Sequence, residues 1–377
     1  MWKIQLFQLN YDEREPQAVK DVVDSGWITM GEKSKNFEDN FSKMLGNNAK
    51  STAVSSCTAA LHMALLSLGI KPDDEVIIPA LTFVADINVV RIVGATPALA
   101  DCESYDNWNV SARTIREQIT ERTKAVIVVH FAGYPCEMDD IVALCKEKNI
   151  SLIEDVAHAP GAKYKKQNCG TFGDYGCFSF FTNKNLSVGE GGMLVTSSDE
   201  LSLQAKFFRS HGMTTLTLDR HKGRAITYDV AQTGLNYRID EMRSALGLIQ
   251  LEKLSEANEQ RKKLVANYID KLHDTKGFSI PFLNLENIES AYHIFPILLD
   301  TNIDRIKVIE QLKSDGIQSS IHYPAFKEFT AFKDIGLNEA PIAEEIALRE
   351  LTLPLYPTMS EDEVDLVVES LQKAIGA

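Results

Sequence analysis

The chain has 377 residues, 44% hydrophobic and 24% charged, enough for a large core and a second, smaller domain. Its formal net charge of −14 disfavours nucleic acid and anionic membranes as partners, so an anionic substrate would need a local basic pocket. Six cysteines without a C-x-x-C pair read as reduced thiols. With no signal-peptide pattern and no apolar run of spanning length, the expectation is a soluble cytoplasmic protein.

After an extended start, residues 13–24 read as a helix ended by Ser25-Gly26-Trp27, and a second helix covers roughly 34–45. Ala53–Ser55 reads as a strand. From Ala59 onward, Leu61, Ala64, Leu65 and Leu68 recur at helical spacing until Gly69. Between strand and helix lie Ser56, Cys57 and Thr58. Small residues at a helix N-terminus leave backbone N–H groups and a favourable dipole end for a phosphate dianion, although a plain Ser/Thr cap fits them equally. Glu75–Pro79 is the next strand, and Thr82-Phe83 opens a helix to about Val93; taken alone, Phe83 reads as core.

Strand and helix then alternate: strand Pro97–Ala100, helix Ala112–Ile119, strand Ala125–Val129, helix Met138–Lys148, and the strand Ser151-Leu152-Ile153 running into Glu154-Asp155. Such alternation implies right-handed crossovers and a mostly parallel sheet covered on both faces. Asp155 falls at a strand end, where crevices and ligands occur. Cys177–Phe181 reads as another buried strand, followed by Lys184 and by Gly189, Gly191 and Gly192 around Glu190. A lysine among aromatics and glycines, downstream of a strand-end aspartate, suits pyridoxal 5'-phosphate (PLP). Lysine bonds to PLP covalently, an acid keeps its pyridine nitrogen protonated, and glycines admit close backbone approach.

Glu200–Arg209 is helical, but 211–237 has no clean period, as in functional or inter-subunit loops. A long amphipathic stretch follows from Asp240 to Leu272. The remainder reads as α+β: strands Tyr292–Leu298 and Ile317–Ile321, a helix over Ile303–Ser314, and a last helix opened by the capping box Ser360-x-x-Glu363. The absence of G-x-G-x-x-G after an early strand argues against a nicotinamide cofactor.

Six runs occur in an order that resembles one family. They are Ser56-Cys57-Thr58-Ala59-Ala60-Leu61, Pro79–Ala85, Glu154-Asp155-x-Ala-His158-Ala, Phe178-Ser179-Phe-Phe-x-x-Lys184-Asn185-Leu186, Gly189–Gly192 and Gly234-Leu235-Asn236-Tyr237-Arg238. Together they resemble the DegT/DnrJ/EryC1/StrS family of PLP-dependent sugar aminotransferases. The resemblance implies an α/β protein of aminotransferase fold type I, with a large PLP-binding domain (1–250) built on a mostly parallel central sheet and a smaller α+β domain (251–377).

It further implies Lys184 as cofactor carrier and proton-transfer base, Asp155 as partner of the ring nitrogen, and His158 as a brace for Asp155 or a contact to the phenolic oxygen. Phe83 would lie against the ring. Ser56, Cys57, Thr58 and Ser179 would surround the phosphate, with Asn236 contributed by the neighbouring subunit of a homodimer with shared active sites. Read without the resemblance, His158 is equally a satisfied structural histidine, Ser179 a small strand residue and Asn236 a turn residue. His322-Tyr323 resembles the family's acceptor-sugar motif, but the usual Leu-His continuation is replaced by Ala325-Phe326-Lys327.

The implied reaction moves an amino group from an amino acid, L-glutamate being favoured, to a keto sugar, foremost a nucleotide-linked 4-keto-6-deoxy sugar in amino-sugar biosynthesis. Alternatives are a 3-keto sugar or a non-catalytic PLP-binding sensor. A dehydratase of the same fold would carry histidine at position 184. No metal is expected.

Overall fold

The computed structural model describes residues 2–214, 227–333 and 335–376. Residues 215–226, the middle of the unpatterned 211–237 stretch, lie outside the described residues. Helix α1 (Arg14–Ser25) closes at Gly26, which takes the left-handed φ of 71°. Helix α2 (Glu32–Leu45) begins where the buried Glu241 carboxylate accepts the N–H groups of Gly31, Lys33 and Ser34 at 2.7–2.8 Å, a remote side chain serving as its cap.

Seven strands form the central sheet: β1 (Lys50–Val54), β2 (Glu75–Pro79), β3 (Thr96–Ala100), β4 (Thr123–Val129), β5 (Ser151–Asp155), β6 (Tyr175–Ser179) and β7 (Gly192–Thr196), in the order β1-β7-β6-β5-β4-β2-β3. Only β7 runs against its neighbours. The expected mostly parallel sheet is therefore present, and its strands are almost continuously buried, as strands covered on both faces must be. On one face Val76, Ile78, Ile127 and Ile153 pack with α3 (Cys57–Ser67) and α4 (Val84–Ile92). On the other, Val126 and Val128 meet α5 (Ala112–Arg116) and α6 (Met138–Lys148), while Phe178 and Met193 meet α2. Helix α7 (Asp199–Arg209) lies beside α3 and β1.

Helix α8 (Glu241–Leu272) runs for 32 residues straight through position 250. Its first half packs on α1 and α2; its last turns, through Leu264, Val265, Tyr268 and Leu272, enter a second core. That core also holds α9 (Arg305–Asp315), α11 (Glu361–Ile375) and the antiparallel strands β8 (Phe295–Leu299) and β9 (Glu350–Leu353), whereas α10 (Pro341–Arg349) packs through Ala343, Ile346 and Ala347 into the core of α3 and α4. The capping box at Ser360 and Glu363 is formed as expected.

Several boundaries differ from the sequence reading. The strand expected at Ile317–Ile321 does not form a ladder: the N–H of Gln318 goes to Ile4 and that of Ser320 to Thr352, so the segment divides its hydrogen bonds between two partners. The strand expected from Tyr292 starts at Phe295, because Tyr292 has a left-handed φ of 48° and His293 donates its N–H to Ala132 instead. The strand expected at Cys177–Phe181 spans Tyr175–Ser179, leaving Phe180 and Phe181 beyond its end. Among the described residues no helix is long and apolar enough to cross a membrane.

Candidate active site

The end of β5 carries two carboxylates whose neighbouring positions send them to opposite faces of the sheet. Glu154, fully buried, accepts the N–H groups of Gly170, Phe172 and Gly173 at 2.7–2.9 Å and pairs with His130 Nε2 at 3.1 Å. It ties the 170–173 loop to the sheet. Asp155 faces the crevice; its Oδ1 accepts the Ala157 N–H at 2.7 Å and lies 3.9 Å from the Cys57 thiol.

The sheet also assembles a cup. Ser179 sits opposite Gly192, and Gly192 opposite Val54, which places Ser179 level with the start of α3. A Cβ on Gly192 would lie 2.5 Å from the Ser56 carbonyl carbon, so only glycine lets the helix N-terminus come this close. Ser56 caps α3 by accepting the Ala59 N–H at 3.1 Å. Thr58 is exposed at the rim, and the Cys57 thiol is turned towards Asp155, so what Cys57 offers the cup is its backbone N–H.

Lys184 follows β6 after a turn, and its Nζ reaches His293 Nε2 at 3.5 Å. His293 Nδ1 lies 2.9 Å from Asn185 Oδ1, and Asn185 Nδ2 donates to Ala291 O at 2.7 Å and Asn258 Oδ1 at 2.8 Å. With both amide hydrogens used, Asn185 Oδ1 is an acceptor, which puts the His293 proton on Nδ1 and leaves Nε2 bare towards Lys184. Burial pulls Lys184 down to about 8, while the Asp155 charge opposes the shift. A lysine so tuned has a sizeable neutral fraction near neutral pH, as a nucleophile and proton carrier needs. The sequence reading missed His293, Asn185 and Asn258; a lone imidazole inside the apolar Tyr292–Leu298 run was the available signal.

His158 Nδ1 accepts the Ala132 N–H at 3.3 Å, so its proton is on Nε2, which donates to the Tyr323 hydroxyl at 2.9 Å. Burial and the nearby Lys184 charge keep it neutral. Its ring is 4.4 Å from that of His293, centroid to centroid, so the sequence-predicted His158 and Tyr323 are brought together beside Lys184. Phe83 packs against Tyr323 at 5.6 Å yet is 53% exposed, which leaves a ring face free at the crevice. Asn236 is exposed, held by a single bridge to Ser210.

His322 is braced from below. Its N–H donates to the fully buried Glu350 at 2.7 Å, and its Nδ1 is 2.8 Å from the Thr352 hydroxyl, which itself bonds Glu350. Burial pushes Glu350 up to about 8, opposed by its hydrogen bonds. Between the unfolded value of 4.5 and about 8 the folded protein holds a proton that the unfolded chain has released, so this contribution to stability fades as pH rises through that window. Glu350→Gln, neutral at every pH, is expected to gain about 3 kcal/mol over the wild type between pH 6 and pH 9. Urea unfolding at the two pH values measures this; an unchanged difference would place an ionised Glu350 in the fold.

Residues 10–372 match the profile of the DegT/DnrJ/EryC1/StrS aminotransferase family. The chain belongs to this family. It is 35% identical over 371 residues to the spore coat polysaccharide biosynthesis protein SpsC of Bacillus subtilis, covering 96% of this chain and 95% of that one. Its fold is similar to Helicobacter pylori PseC, an aminotransferase of pseudoaminic acid biosynthesis, with a TM-score of 0.92 at 28% identity over 99% of both chains. Spr1654 of Streptococcus pneumoniae in its PMP form superposes with a TM-score of 0.90 at 29% identity, over 97% of this chain and 98% of that one.

The chain is a PLP-dependent member of this sugar-aminotransferase family, and its residues fit the cofactor. A lysine of reduced basicity, a strand-end carboxylate, an aromatic face open to the crevice and a helix N-terminus beside a glycine form the donor set that PLP requires.

Proposed function

We propose that the enzyme moves an amino group from L-glutamate to a nucleotide-linked 4-keto-6-deoxy sugar in amino-sugar biosynthesis. The observation that carries the catalytic part is the meeting of Lys184 Nζ, the His293 and His158 imidazoles and Asp155 at one strand-end crevice. Support for a sugar acceptor comes from the roles in polysaccharide and pseudoaminic acid synthesis stated for SpsC and PseC.

When bound, PLP supplies the electron sink for the negative charge that develops at the carbon bearing nitrogen. Asp155 would hold the ring-nitrogen proton. Ser56, Cys57, Thr58 and Ser179 would bind the phosphate through hydroxyl and backbone N–H donors. Phe83 would lie against the ring and exclude water. Lys184 Nζ takes a proton from the donor's α-carbon in one half-reaction and delivers one to the acceptor carbon in the other, with the bare His293 Nε2 orienting it. His322 and Tyr323 stand on the acceptor side.

Purified protein given L-glutamate and a panel of nucleotide-linked 4-keto and 3-keto sugars should form 2-oxoglutarate fastest with a 4-keto-6-deoxy sugar. Preference for a 3-keto sugar would overturn the acceptor assignment. Retained cofactor with no 2-oxoglutarate from any sugar would favour the sensor reading.

We also propose that Asn236 completes the phosphate cup of a second copy, making the active unit a homodimer related by a twofold axis. The exposure of Asn236 supports this. Mixing inactive Lys184→Ala with inactive Asn236→Glu should give hybrids with one doubly defective and one intact site. Random exchange of equal amounts should recover about a quarter of wild-type activity. No recovery despite demonstrated exchange would make Asn236 an ordinary turn residue.

A further inference from the structure

Asp86 sits in the first turn of α4, fully buried, and forms no ion pair among the described residues. Its Oδ2 accepts the Thr82 hydroxyl at 2.6 Å. Its Oδ1 is buried and has no donor from any backbone, hydroxyl or amide group. The Asp86 carboxyl faces that of Asp155, whose charge opposes its ionisation. Two ionised carboxylates only accept, and two like charges facing each other in a buried site repel strongly. One of the two must carry a proton.

Its location follows from the surroundings. Burial raises Asp155 above the usual carboxylate range, but the Ala157 N–H, the Lys184 charge and the Cys57 thiol at 3.9 Å all favour its ionised form. Asp86 has one hydroxyl donor, and burial followed by the Asp155 charge pushes it well above the usual carboxylate range. The other titratable groups facing the pair are His130, Cys57, Cys177 and Tyr323, of which the last three are held neutral by burial.

The geometry points to Asp86 as a neutral carboxylic acid whose O–H donates to Asp155, making it a positioning residue that keeps the ring-nitrogen partner ionised and correctly turned. The pair then carries a single negative charge, which balances one protonated ring nitrogen. Two negative charges would leave one uncompensated in a dry site. The inference rests on Asp155 as the ring partner, and it is independent of which sugar is the acceptor.

Two variants separate the roles. Asp86→Asn keeps an N–H donor and the charge of the pair, whereas Asp86→Leu fills the space and leaves Asp155 without that donor. Asp86→Asn should retain at least about a third of wild-type kcat, while Asp86→Leu loses about tenfold to a hundredfold with little change in the KM for glutamate. In the bound cofactor's visible spectrum, the pH at which the ring-linked band changes should move in Asp86→Leu and stay put in Asp86→Asn.

A third measurement needs neither cofactor nor a stable variant at position 86. In cofactor-free wild-type protein labelled with 13C-carboxyl aspartate, one resonance should remain at the protonated shift at pH 7, and Asp86→Asn identifies it by its disappearance. Equal losses in both variants, or a fully ionised Asp86 at pH 7, would overturn the inference. Because that spectrum reads an empty site, its failure is distinguishable from failure of the sugar-acceptor assignment.

Discussion

Lys184→Ala is expected to lower turnover by at least about a thousandfold, because one side chain both carries the cofactor and moves the proton. Borohydride reduction of the loaded wild type should fix the cofactor on a single peptide containing Lys184, and the variant should take up no label. The value of about 8 sets the pH course: in cofactor-free protein the neutral amine, which is the nucleophile, grows as pH rises and levels off above about 8, not above the ordinary lysine value of 10.5. The rate of PLP incorporation should follow that curve. Label on another lysine, or a rate still climbing at pH 10, would mean that Lys184 is an ordinary solvated amine.

Asp155→Ala should behave differently. The cup at α3 and the Lys184 amine remain, so the variant keeps some cofactor, yet the half-reaction with glutamate should slow by on the order of a thousandfold through loss of the ring-nitrogen partner. Single-turnover spectroscopy with glutamate, at saturating PLP, separates the two effects. A near-normal half-reaction would show that the carboxylate is structural, as its neighbour Glu154 is.

What the sequence disclosed and what it hid divide along physical lines. The strand Glu75–Pro79 and the helix Met138–Lys148 have the boundaries that pattern assigns, because each is decided by its own apolar period. The 317–321 segment misleads because its residues are strand-like while its partners, Ile4 and Thr352, lie in different parts of the chain. Lys184 and Asp155 were singled out by their local setting, and Ser179 by the family resemblance alone. His293 stands 109 residues from Lys184 and Asn258 stands 73 from Asn185, so their part in the site exists only once the chain has folded. Asp86 was hidden for another reason: within an amphipathic helix start it reads as a solvated acid, and only its complete burial shows otherwise.

The long helix α8 has a consequence for how the protein comes apart. It begins on the core that carries the central sheet and ends in the second core, and on the way Asn258 bonds Asn185 while Arg261 donates to the carbonyls of His293 and Leu355. A rod of about 48 Å shared by both cores cannot fray in one without stripping apolar surface from the other. Melting should therefore show a single calorimetric transition, with the calorimetric and van't Hoff enthalpies in agreement for each cooperative unit. The crevice would vanish in that same step, so heat inactivation and loss of fold become one event.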